Sequence, residues 1–372
     1  MEEKDFTRPI FYILLFLAVI VAGALCKVLS SVVIPIVLAV FLALTFIPVV
    51  QKINKKFKIP WVLTVLLIDI LLLAAIAAIS TLLFNSLSTI TSEYPKYENR
   101  FMSIYRLIAN TFKLEFDAGK SFGENIWNIL KVRELVQRIA IFLSSGIVSF
   151  SKTLLVIFLL FTFLLIELRH GARKINTAFA DKAKGKIFRI SQQVVTETVR
   201  FLSIKFFISL ATGVLVGFGT FIIHMDFPIV WGFIAFTMNF IPTFGSIIST
   251  LITTVFALLQ FYPSWGKVIY IFVFMLSVNM VLGNIIEPRT EGKHLGLSPF
   301  VILVSLSIFG WIWGFAGMII AVPMTVIIKI ICENVSFLQG IAVLLGNTAD
   351  PPKKRTPKRF AHKDEQQSSD AK

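Results

Sequence analysis

The chain reads as an all-α polytopic membrane protein of about eight membrane segments, two of them broken or re-entrant, with a small helical insert outside the membrane. Three observations lead there. Hydrophobic residues fill 56% of the 372 positions against 15% charged, and mean hydropathy is +0.83. A soluble domain needs more polar surface than that to cover itself. The apolar residues run on continuously for about 20 positions at a time, the length a helix needs to cross ~30 Å of hydrocarbon. They do not alternate as barrel strands would. Finally, the Lys and Arg behind a net charge of +15 gather in loops and the C-terminal tail, where membrane topology explains them.

Taken in order, the first run covers 10–29 after Lys4 and Arg8. It resembles a signal peptide, but Leu25 stands where a lipoprotein cleavage site before Cys26 would want a small residue. Apolar sequence also resumes at once, so 10–29 reads as a first spanning helix. Spans near 31–50 and 60–84 complete a region of three transmembrane helices, 1–84. Residues 85–146 form a hydrophilic insert with eight basic and six acidic residues. Within it Phe101, Ile104, Tyr105, Ile108 and Phe112 recur at helical spacing, which predicts a small helical subdomain. The membrane region resumes over 147–335, with spans near 147–168, 202–224 and 266–286. The last stretch, 336–372, is a basic tail whose Pro351-Pro352-Lys353-Lys354-Arg355 and following Gln, Ser and Lys have almost nothing to bury, a composition that predicts disorder.

Loop charges set an expected orientation. Lys52, Lys55, Lys56 and Lys58 crowd one short loop. Arg169, Arg173, Lys174, Lys182, Lys184, Lys186 and Arg189 crowd a second, and Lys353 to Lys363 the tail. The positive-inside rule puts all three groups in the cytoplasm, with both termini inside and the insert outside.

Two apolar stretches, 227–262 and 299–331, are too long for one span and too short for two. Asn239, Pro242 and Gly245 interrupt the first; Gly310, Gly314 and Gly317 interrupt the second, with Pro323 further on. Proline removes a helix donor and glycine loosens the backbone. Broken backbone in lipid is tolerated only where protein or a water-filled cavity satisfies the freed groups. A pair of such segments is the pattern associated with transporter binding sites. Two helical hairpins and two long kinked helices both fit, and kinking for packing alone is the plainer alternative.

Between these stretches, Asn279, Gly283 and Glu287 are spaced to share one helix face, with Asn284 beside it and Pro288 ending the helix. Amides and a carboxylate on an apolar helix should face the protein interior. The expected solute or ion pathway is therefore lined by Asn239, Pro242, Gly245, Asn279, Asn284, Glu287, Pro288, Gly310, Gly314 and Gly317. Valine at Gly245 or Gly314 should then cost flux rather than folding. Asp69, an acid deep in a predicted span, and Glu287 are candidate coupling carboxylates. For Asp69 a capping hydroxyl such as Thr64 is the bland alternative.

No nucleophile-elbow, His-Glu-x-x-His, Cys-x-x-Cys or phosphate-loop motif appears, which argues against an enzyme. His170, His224, His294 and His362 show no ligand spacing, and Cys26 and Cys332 suggest neither metal nor disulfide. No cofactor is implied, and the tail lacks the aromatic interleaving of a nucleic-acid binder. A channel or membrane scaffold without coupled transport remains a rival.

Four stretches match a known signature: Asn239-Phe-Ile-Pro-Thr-Phe-Gly245, Gly283-Asn-Ile-Ile-Glu-Pro-Arg289, Gly292-Lys-His-Leu-Gly-Leu-Ser-Pro299 and Gly314-Phe-Ala-Gly-Met-Ile-Ile-Ala-Val-Pro323. They closely resemble the autoinducer-2 exporter family, also called PerM-type permeases. Pro35-Ile-Val-Leu-Ala39 and Pro48 resemble its second helix, although Thr45-Phe46-Ile47 stands where the family usually carries a tyrosine and an asparagine. The resemblance implies a bacterial inner-membrane permease of about eight segments that meets lipid and a small molecule or ion. Autoinducer-2 export and exchange of sodium or lithium for protons are the activities assigned to members. A homo-oligomer is compatible with all of this.

Overall fold

A computed structural model describes residues 4–92, 153–169, 181–291 and 296–347. The helical subdomain expected within 85–146 falls outside those residues, as does most of the tail expected to be disordered; the tail's start is corrected, being helical at Ser336–Leu338 and Gln339–Leu345. The described chain is helical throughout, as it must be where lipid offers backbone groups no partner; its one β contact is an isolated bridge, Leu297 to Gly346. Among the described residues, six helices are long and apolar enough to span, and shorter apolar ones accompany them.

Helix α1 (Lys4–Val28) passes into α2 (Ser30–Phe57) across Leu29. The carbonyl of Cys26, beside this break, accepts the indole N–H of Trp313 at 2.9 Å. Lys58 closes α2 in a left-handed conformation, and α3 (Trp61–Ser92) follows. It runs eight residues past the expected end at 84, into the start of the insert. Helix α4 (Thr153–Leu168) packs with α2 and α3 around Phe46, Val65, Phe158 and Phe161. Trp61 donates its indole N–H to the Leu165 carbonyl at 2.9 Å. That bond puts the turn between α2 and α3 beside the C-terminal end of α4.

Helix α5 (Asp181–Ile222) has 42 residues, twenty-one more at its start than the span expected from 202. Those extra residues are polar and basic, so hydropathy alone read them as loop. Helices α6 (Pro228–Met238) and α7 (Phe244–Phe261) follow. Then α8 (Trp265–Asn279) continues through a π-helix, Met280–Ile286, into one further turn, Glu287–Glu291. Helix α9 (Pro299–Asn334) is broken at Gly314, with φ 60 and ψ −138, and α10 is Gln339–Leu345.

The two over-long stretches are helical hairpins. In the first, α6 and α7 fold back on each other: Trp231 tilts on Phe256 at 4.8 Å between ring centroids, and Gln260 accepts the Asp226 amide at 2.8 Å. In the second, the two arms of α9 meet through Thr325 and Ser305, 2.8 Å apart and twenty residues distant in sequence. Its base is closed as well. Ser298 donates to the Leu345 carbonyl at 3.1 Å and Asn347 to that of Gly296 at 2.8 Å. Both ends of each hairpin therefore emerge together.

Helix α5 is the post on which these parts hang. Gly213 and Gly217, one turn apart, face Gly232 of α6. A Cβ on Gly213 would stand 2.8 Å from the Gly232 carbonyl oxygen, so only glycine lets the helices approach this closely. Phe274 of α8 lies against Gly219 and Glu287 against Lys205, which makes α8 antiparallel to α5. Buried Met275, Ile271, Trp231 and Val216 fill the space between.

Candidate functional site

Helix α5 carries a buried polar face inside the bundle. Thr198, Lys205, Ser209, Thr212 and Thr220 are each no more than 4% exposed, and their spacing keeps them on one side of the helix. Thr212 and Thr220 return their hydroxyls to carbonyls one turn back. Lys205 and Ser209, one turn apart, instead reach to other elements.

Lys205 Nζ lies 2.6 Å from Glu287 Oε1, with side chains 5% and 14% exposed. A pair taken out of water this far is stable only while both partners stay, because either alone would be an uncompensated charge. Ser209 Oγ accepts a hydrogen bond from Asn239 Nδ2 at 3.0 Å. Asn239 caps the C-terminal end of α6, so this bond pins the tip of the first hairpin about two-thirds of the way along α5. The ion pair and the hairpin tip are thus adjacent on one helix face.

The turn itself is strained. Thr243 has φ 64 and ψ −57, and the Phe244 amide donates to the Pro242 carbonyl at 2.7 Å. This is a γ-turn of the rare hand, disfavoured for a β-branched residue. Next to Pro242, Ile241 packs against Leu306 and Ala321, from the middle of the two arms of the second hairpin. The first hairpin's tip therefore abuts the second hairpin's waist, close to Ser305 and Thr325.

Other expected residues fall elsewhere. Asn279 donates to Thr250 of α7 at 3.0 Å, two turns from Glu287. The π-helix between them winds more residues per turn than an α-helix, so the face expected from i, i+4, i+8 spacing does not persist: Asn279 turns to α7 and Glu287 to α5. Asn284 and Pro288 are exposed. Gly314 supplies a backbone conformation open to glycine, with free space where a Cβ would go. Gly245 and Gly317 differ: a Cβ on the first would overlap the Met238 carbonyl, on the second that of Phe309. The expectation that valine at Gly245 would spare the fold is corrected by this geometry.

Asp69 sits apart, in the α2–α3–α4 core. Thr64 does not cap it, since that hydroxyl bonds the Pro60 carbonyl at 3.2 Å. Thr162 of α4 lies 2.9 Å from Asp69 Oδ2, while Asp69 Oδ1 is buried without a partner. Lys205, Ser209, Thr250 and Thr162 escaped the sequence reading. The signal for Lys205 was present, a lone cation inside the apolar run FLSIKFFISLATG.

The profile of the family described as "AI-2E family transporter" matches residues 10–337. A protein of Borreliella burgdorferi, whose name provisionally assigns it to transport, is 31% identical over 341 residues, 92% of this chain and 91% of that protein. The "AI-2 transport protein TqsA" of Escherichia coli is 28% identical over 321 residues, 86% of this chain and 90% of its own. YhhT of the same bacterium, also provisionally assigned to transport, is 29% identical over 365 residues, spanning 96% of this chain and all of its own.

Proposed function

This chain belongs to the AI-2E family of transporters, and on that premise we propose that it carries a small solute through the bacterial inner membrane along a path between its two hairpins. The observation that carries the reading is the meeting of the hairpins at Ile241, Leu306 and Ala321, beside Asn239–Ser209 and Lys205–Glu287 on α5. Hairpin tips leave carbonyl and amide groups without helical partners at membrane depth, which is what a solute path needs. The similarity to TqsA supports an autoinducer-2-like solute as the first to try, moved outward.

With the basic loops 51–59 and 169–189 in the cytoplasm, the first hairpin opens from outside and the second from the cytoplasm. The loop 287–298 and both termini are then cytoplasmic. Solute would pass from one hairpin's side to the other's as the contact at Ile241 opens. Asp69 favours a second reading, exchange of sodium or lithium for protons: a half-buried carboxylate with one shielded, unpartnered oxygen, hydrogen-bonded by Thr162, is the kind of group an ion-coupled carrier uses.

The test is flux in vesicles of the purified full-length chain, across autoinducer-2, other small solutes, and sodium or lithium against a proton gradient. Saturable flux of one solute, reduced by Asn239→Leu well beyond any loss of folded yield, is the expected result. Absence of flux for every solute would leave a scaffold. Sodium or lithium movement lost in Asp69→Asn, without solute flux, would select the exchanger.

A further inference from the structure

Inside the proposed path, the ammonium of Lys205 is already bound to an oxyanion, and that oxyanion belongs to the protein. We infer that Lys205 is the receptor for the carboxylate or phosphate group of a small anionic solute, and that Glu287 holds the receptor when the solute is absent. The inference rests on the transporter reading and gives it a substrate class.

Three features support it. Lys205 is the more deeply buried partner and sits on the continuous helix α5, whereas Glu287 is more exposed, 14% against 5%, and follows directly on the π-helix Met280–Ile286. A π-segment is a place where a helix can redistribute its extra residue, so Glu287 is the partner built to leave. An ammonium also has three donors and no acceptor, which lets an incoming oxyanion bind before Glu287 departs. Beside Lys205, the Ser209 hydroxyl and the Asn239 amide supply neutral polar groups for the rest of the solute.

The geometry of the pair itself selects an anion over a metal cation. Sodium or lithium would have to take the place of the Lys205 ammonium, which is fixed on α5 and 5% exposed, whereas an oxyanion takes the place of the more exposed Glu287. Close by on the same two elements, the Arg200 guanidinium donates to the Thr290 carbonyl at 3.4 Å.

The thermal midpoint of the purified full-length chain in detergent, titrated with acetate and with inorganic phosphate at ionic strength held constant by choline chloride, tests this at equilibrium. The wild type should be stabilised saturably by at least one of them. Glu287→Gln removes the competing charge, and half-saturation should fall roughly tenfold. Lys205→Met should abolish the response. If that variant does not fold, Lys205→Met with Glu287→Met removes both charges together and should fold without responding.

An anion response that survives in the double variant overturns the inference, as does unchanged or weaker binding by Glu287→Gln. So does stabilisation by sodium or lithium chloride in place of the anions, or by phosphatidylglycerol alone. Because no flux is read, the two claims fail separately. A chain that binds acetate yet moves nothing keeps the site and loses the carrier; one that moves a neutral solute without an anion response does the reverse.

Discussion

The two hairpins have similar lengths and unlike tips. The first turns through Asn239 to Thr243, places a polar amide on Ser209 and holds Thr243 in a strained conformation. The second turns on Gly314 alone, and its neighbouring Trp313 is fastened to the Cys26 carbonyl at the break between α1 and α2. Its polar pair, Ser305 and Thr325, sits at the waist and joins its own two arms. One hairpin thus presents its polarity outward to a charged helix, and the other spends it internally. In the proposed path, the first hairpin is therefore the element that would contact solute and the second the surface against which it would close.

Removing charge beside the first hairpin should have the largest effect on the comparison. Lys205→Met leaves the largely shielded Glu287 carboxylate without its partner and should cost up to about 3 kcal/mol, with most of it recovered when Glu287 is also made apolar. Thermal midpoints of the two variants in detergent check this. An equal loss in both would mean the pair is held by its packing rather than its charge.

Glycine replacement comes next and should not distinguish the hairpins. Gly245→Val in the first and Gly317→Val in the second both drive a side chain into a backbone carbonyl, at or above the roughly 3 kcal/mol end of overpacking costs. Gly314→Val has room but the wrong backbone for valine, a penalty of about 1–3 kcal/mol. Folded yield by fluorescent size-exclusion should rank Gly314→Val above the other two.

Polar substitutions at tip and waist sharpen the contrast. Asn239→Leu leaves Ser209 facing an apolar group, costs roughly 1–2 kcal/mol and should remove most flux. Ser305→Ala should be nearly silent in both respects, since Thr325 retains the Ala321 carbonyl at 2.8 Å. If Ser305→Ala stops flux while Asn239→Leu does not, the roles of the hairpins are reversed. The smallest effect is expected of Thr243→Gly, which relieves the turn and should raise stability by up to about 1 kcal/mol.

These predictions also mark what the sequence could show. The number of spans and the two interrupted stretches were legible because Gly and Pro punctuate apolar runs whose lengths match no whole number of crossings. Asn239 and Glu287 were legible as polar groups in apolar helices. Their partners were not, because Lys205 and Ser209 lie 82 and 30 residues away and nothing in spacing says which helices touch. The turn of face between Asn279 and Glu287 was hidden for a related reason: a π-helix depends on what each side packs against, and i, i+4 arithmetic assumes its absence. Whether a glycine lines a path or admits a neighbour is settled by the atoms opposite, which is why Gly245 reads differently in three dimensions.

The central claim is that the hairpins must part at Ile241 for solute to pass, and a reversible cross-link tests it most directly. Ile241→Cys with Leu306→Cys, in a background where Cys26 and Cys332 are alanine, places two thiols across the contact. Oxidation in vesicles should stop flux, and reduction should restore it in the same preparation. Full flux through a chain shown by mass spectrometry to be completely cross-linked would contradict the account.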